Sequence, residues 1–163
     1  MSARFERLHA PTVQFGPEAR VPETPCPTAR FVSEAARAGQ PVVRGALYVP
    51  GGVLVEGDVI ATGDLSIGSG SHVRGSVKAG GKLHLERGAV VEGSAVAEGD
   101  VLLGSGVQVR GGVSGEADVY AAAGVRVGRP GRPATLTGDH LRLAPGVTVH
   151  GTVWARVDGV FES

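Results

Sequence analysis

Aromatic side chains are scarce in this chain: four phenylalanines, two tyrosines and one tryptophan make up 4% of 163 residues. Such rings usually carry much of a globular core, so this core has to be filled by something narrower. Cysteine is almost absent. Cys26 is the only one, which excludes an intramolecular disulfide and fits a reducing cytoplasm. Set between Pro25 and Pro27, it reads as an incidental thiol. Neither sign of charge dominates. Sixteen basic and 16 acidic residues give a formal net charge of zero, which argues against nucleic acid or an anionic surface as the main partner. No apolar run approaches the length of a signal-peptide core or a membrane span. These absences predict a soluble, single-domain protein.

What the chain does have is glycine, 27 of them, and small apolar residues in strict order. From Leu47 to Val127 the pattern repeats every 18 residues, in three six-residue steps. Every sixth residue from Val49 (Val55, Ala61, Ile67, Val73 and onward to Val127) and the residue two before each are apolar, except Ser71 and Gly115. An apolar pair at i and i+2 lies on one face of a strand. Three short strands per repeat, each followed by a turn, describe one coil of a single-stranded parallel β-helix. The fold class is therefore all-β.

Glycines keep the same register. Gly52, Gly70, Gly88, Gly106 and Gly124 form one series, and Gly57, Gly75, Gly93 and Gly111 another. Corners between short strands need either positive φ or close backbone approach, and glycine supplies both. After Val127 the register slips by four residues through GRPGRP (Gly128 to Pro133) and then resumes at Leu141, Leu143, Val147, Val149, Val153, Ala155 and Phe161. This reads as a looped-out corner within one domain covering residues 46–161. About six coils, starting near Leu47, Leu65, Leu83, Val101, Val119 and Leu141, would make a rod roughly 30 Å long at about 4.8 Å per coil.

Residues 1–45 differ. They hold most of the prolines and show no sustained period, so a flexible segment is expected, with Pro11 to Thr28 disordered or extended. Phe31 to Ala38, closed by Gly39, suits about two helical turns that would cap the first coil. Phe5 and Leu8, beside Arg4 and Arg7, are the residues that would touch a membrane.

Outward positions carry a ladder of alternating charge: Glu56, Arg74, Glu92, Arg110 and, past the slip, His150. Stacked side chains of opposite sign avoid the repulsion of a uniform column. A looser column holds Asp64, Lys82, Asp100, Asp118 and His140. His72, His84, His140 and His150 each adjoin an inward position, so all four point outward in different columns and do not converge on a metal. Ser71 is expected to be a small corner residue bonded to backbone. GSVKAGGKL (Gly75 to Leu83) lacks the glycine spacing and hydroxyl of a phosphate loop, and GSGSHVRG (Gly68 to Gly75) has Val73 where a dinucleotide fingerprint needs glycine. No catalytic, cofactor-binding or metal residue is assigned.

The strings VLVEGDVIATGDLSIGSGSHVRGSVKA (Val53 to Ala79), VVEGSAVAEGDVLLGSGVQVRGGV (Val90 to Val113) and VTVHGTVWARVDGVF (Val147 to Phe161) resemble the bactofilin family of polymer-forming cytoskeletal proteins. The resemblance implies a right-handed helix with flexible tails and assembly into non-polar filaments without nucleotide. It also implies a scaffolding role in cell shape or polar organisation. Partners would be further copies of the chain, with membrane or cell-wall-related proteins as additional ones, and no nucleic acid or nucleotide. The uncovered edge of a terminal coil is a template for another strand. Because VWARVDGVFES runs in register almost to the last residue, the C-terminal end is expected to be open. Phe161 and Val160 at that end, and Leu47 and Val49 at the other, are the expected polymerisation surface. Phe161 either meets its counterpart head to head or folds over its own last coil as a plug.

The alternative is a left-handed hexapeptide-repeat enzyme, an acyltransferase or a carbonic-anhydrase-like trimer. Those hexads place a small residue after the main apolar position, where this chain has Arg74, Glu92 and Arg110. They also tend to carry a catalytic histidine on a protruding loop, and GRPGRP has none.

Overall fold

A computed structural model describes residues 2–16 and 42–162. Among them are eighteen strands and no helix, numbered β1 to β18 in chain order and joined in one sheet. β2 (Val42–Val43), β3 (Leu47–Val49) and β4 (Leu54–Val55) open the rod. They pair in parallel with β5 (Val59–Ala61), β6 (Leu65–Ile67) and β7 (His72–Val73) respectively, each one repeat further on. The rule continues through β15 (Val119–Ala121) and β16 (Arg126–Val127), so each strand lies above the one three places before it. The result is a parallel β-solenoid of about 7 turns.

Its interior is the one expected from the repeat. Both apolar series are buried throughout, except Leu47 and Val53 on the first turn, which are half-buried. Leucine, isoleucine, valine and alanine stack in columns with no ring among them between Val49 and Leu143. Ser71 is fully buried in the same array; its Oγ donates to Pro50 O at 2.6 Å and accepts from Val53 N at 3.3 Å. A buried hydroxyl so bonded costs little. The prediction of a structural corner serine stands.

The two glycine series divide the two properties between them, except that Gly57, at φ 90°, behaves like a member of the first. Gly70 and Gly88 have φ of 68° and 72°, in the left-handed region that L side chains avoid. Gly93 and Gly111 have ordinary φ but lie so close to the turn before them that a Cβ at Gly111 would come within 2.8 Å of Gly93 O. One series turns the chain, and the other, from Gly75 onward, lets the turns stack.

The corner slip is an excursion of the chain between β16 and β17 (Ala134–Leu143), with Arg129 and Arg132 bridged antiparallel. Val113 pairs with Leu136 but Val119 with Leu141, so one residue of the insertion is given back between the two. β17 and β18 (Val147–Glu162) then run round corners without a break and pair with each other over most of their length.

Beyond β18 the structure departs from expectation. β1 (Ser2–Phe15), from the segment read as loose, pairs antiparallel with β18 from Phe15↔Val147 to Ser2↔Glu162. Its register shifts between Phe5 and Arg7 and again between Ala10 and Val13, so the strand bends with the coil beneath it. The C-terminal end is thus covered, not open. The helix expected over residues 31–38, and Cys26, lie outside the described residues.

Candidate functional site: the two ends of the solenoid

At the C-terminal end, β1 contributes Phe5, Leu8, Val13 and Phe15 to the last layer of the core. Phe15 is 6% exposed. Its ring centroid lies 5.5 Å from that of Phe161 and 5.6 Å from that of Phe5, both pairs tilted. Three of the four phenylalanines of the chain therefore meet at one place and close the mouth of the coil. The tilted spacing is the favourable one for ring pairs, worth about 0.5–1.5 kcal/mol beyond area burial. Gly159 makes room, since a Cβ there would run into the Phe5 ring. On the outside, the Arg7 guanidinium sits 5.9 Å above the Trp154 ring, and His9 Nδ1 lies 2.6 Å from Thr152 Oγ1.

This placement bears on each residue named from sequence. Phe161 packs against Phe15, a residue of β1 in its own chain. Val160 pairs with Arg142 on one side and Arg4 on the other, so both of its edges are occupied. Phe5 and Leu8, named for membrane contact, are half-buried and turned onto the core. With β1 in place their apolar surface is already covered.

The N-terminal end is built differently. β2, β3 and β4 pair, among the described residues, only with the turn that follows them. Val49 is fully buried, while Leu47 and Val53 are half-buried and Tyr48 is 58% exposed. Leu47 and Val49 thus occupy the first layer of the core, next to strand edges that bond in one direction.

Between the ends, the charge ladder stacks as its spacing predicts. Arg74 Nη1 reaches Glu56 Oε1 at 3.4 Å, and Arg110 Nη1 reaches Glu92 Oε2 at 2.7 Å. Glu92 also receives Arg129 Nη2 at 2.8 Å and lies 2.6 Å from His72 Nε2. Burial alone would raise its carboxyl, but the hydrogen bond with His72 and the Arg110 charge outweigh that and hold it below its ordinary value. The looser column has another use. Asp64 Oδ1 accepts Lys82 N at 2.8 Å, and Asp100 Oδ1 accepts Asp118 N at 3.0 Å, so these carboxylates serve the backbone of the next turn. Asp58, Ser76 and Ser94 form a third such column, accepting from Ser76 N, Ser94 N and Gly112 N in turn. The signal for that column, three short polar residues at the repeat spacing, was present in the sequence and missed. Three of the four repeat histidines go to separate neighbours, His72 to Glu92, His140 to Asp158 and His150 to Thr12, and His84 is exposed.

Among the described residues, geometry therefore defines a β-solenoid with one plugged end and one end of singly bonded strands. Comparison with protein-family models, curated proteins and solved structures finds no match to this chain.

Proposed function

We propose that this chain is a self-assembling scaffold protein whose solenoids join through their ends, without nucleotide, into filaments that serve cell shape or polar organisation. The first turn carries this reading. Among the described residues, an edge of parallel strands bonded on one side only, over a core layer with Leu47 and Val53 half-covered, is a surface that a second copy would complete. The bactofilin resemblance of the repeats points the same way. Among the described residues no helix is long and apolar enough to cross a membrane, and we place the scaffold in the cytoplasm. Membrane or cell-wall-related partners belong to the same proposal; a membrane contact through Phe5 and Leu8 would require β1 to leave the rod.

Negative-stain microscopy of the purified protein with no nucleotide added tests it. Filaments or end-joined rods are expected, and Leu47→Arg should shorten them while the melting temperature moves by only a few degrees. Discrete trimers, unchanged by that substitution, would overturn the scaffold in favour of a hexapeptide-repeat enzyme.

A further inference from the structure

Three irregular features of the chain converge on one side of the rod near its plugged end. The face bearing β16 and the start of β18 presents Arg126 stacked on Thr148. The looped-out corner after β16 stands beside it and brings Arg129. β1 crosses above and adds Thr12 and Gln14. Together they enclose a cleft of about 730 Å³, with Arg110 and His150 also in its wall. Among the described residues its lining includes three arginines and a histidine but no carboxylate, in a chain whose charges balance at 16 and 16.

The walls are fixed. Arg110 and Arg129 each commit one guanidinium nitrogen to Glu92, a carboxylate just outside the lining. Their positions are thereby set while their remaining N–H donors are not used on it. Gly128, at φ 81°, seats the corner tightly, since a Cβ there would meet His150 O at 2.8 Å. His150 Nδ1 lies 2.9 Å from Thr12 Oγ1, which ties β1 to the same wall. Guanidinium groups match the paired oxygens of a phosphate, and hydroxyl and imidazole groups supplement them. A volume in the range of ordinary small-molecule sites, about 300–1,000 Å³, admits a phosphate with a further body attached.

We propose that this cleft binds a phosphorylated small molecule, with the phosphate toward Arg126 and Arg129 and with β1 as one wall. The inference is independent of the scaffold reading. Because Thr12 and Gln14 belong to β1, an occupant bridges that strand to the rod and holds it down.

Calorimetric titration of the full-length protein with inorganic phosphate and with pyrophosphate, at low ionic strength, tests the site. One saturable site is expected, with pyrophosphate the tighter. Arg126→Gln and Arg129→Gln should each weaken it at least about tenfold, which corresponds to about 1.4 kcal/mol, with circular dichroism unchanged. Arg74→Gln, on the ladder that Arg110 belongs to but outside the cleft, should not weaken it. Pyrophosphate should also slow amide exchange in β1 more than in the strands of the first turns. A shift reproduced by sodium chloride at matched ionic strength would overturn the proposal. So would equal losses in all three variants, or binding only to vesicles of anionic phospholipid and not to soluble phosphate.

Discussion

The two ends of the rod close the same core in opposite ways. At one end, three phenylalanines and an antiparallel strand seal the last layer; at the other, among the described residues, parallel strands bond in one direction and their first layer is half-covered. The coils between need neither device, because each turn is the lid of the one before. An aliphatic column of fixed width can stack without limit, so what stops it has to differ chemically from the repeat. Rings do this, being too large for the interior and well suited to lying across it. Reversed strand direction does it as well: the outer edge that β1 presents is antiparallel, with Pro11 in it, and does not offer the parallel register that the next coil would require. An edge so altered refuses another coil of the repeat, so a filament would need a different contact there, such as β1 against β1, from the one that completes the first turn.

The largest effect separates the middle of the rod from both ends. Val73 and Val91 are fully buried and stacked on adjacent turns. Replacing either with Asp puts an unpaired charge where it cannot be hydrated, at a cost of several kcal/mol, and cooperative unfolding at room temperature is expected by circular dichroism. Leu47→Asp at the open end should instead lower the melting temperature only slightly, since that side chain is half-exposed. If both were equally damaging, the first turn would be as enclosed as the middle, and the contrast between the ends would fail.

Next is the plug. Phe15→Ala empties the centre of the ring cluster, and truncating a buried phenylalanine costs about 3–5 kcal/mol. The loss should be local. Amide exchange in β1 should accelerate by two orders of magnitude or more while that of Leu83–Leu85 stays as it was. Phe161→Arg should have the same effect on β1 with a smaller loss. Should Phe161→Arg leave β1 protected and shorten filaments, Phe161 would be a joint between molecules and not a plug.

How much of this could be read in advance follows from how each element is specified. The coils are written locally: an apolar pair, a turn glycine and a polar outward residue recur at fixed spacing, so inward positions, corners and the ladder were all legible. β1 is written non-locally. Its inward residues are Phe5, Leu8, Val13 and Phe15, whose spacing is broken where the register shifts at two corners, and its partner lies at the far end of the chain. No window of the sequence contains both halves of that pairing. Pro11 also argued against a strand, yet it falls within the second register shift, on a strand that forms the edge of the sheet. One trace did exist, namely that phenylalanine is missing from the repeats and present only outside them and at their end. The cleft was legible in pieces, as GRPGRP and the last rungs of the ladder, but its third wall came with β1.

The smallest effects lie on the ladder, and they too grade along the rod. Arg74 and Glu56 are about half exposed and 3.4 Å apart, the kind of pair that contributes about 0–1 kcal/mol. Arg74→Glu should therefore cost little, through repulsion from Glu56 and Glu92, and the cost should shrink as salt rises. Arg110 contacts both oxygens of Glu92, which is 23% exposed, so Arg110→Ala should cost more than Arg74→Ala and respond less to salt. Acid gives an independent check. A carboxyl held below its ordinary value stabilises the fold above that value and loses the contribution as pH falls through the lowered one. The difference in melting temperature between the protein and Glu92→Gln should accordingly be full at neutral pH and vanish only in acid below the ordinary glutamate range. A difference that instead persists unchanged at the lowest pH would mean that Glu92 acts there through packing and not through its charge. The two rungs would then rank by burial alone.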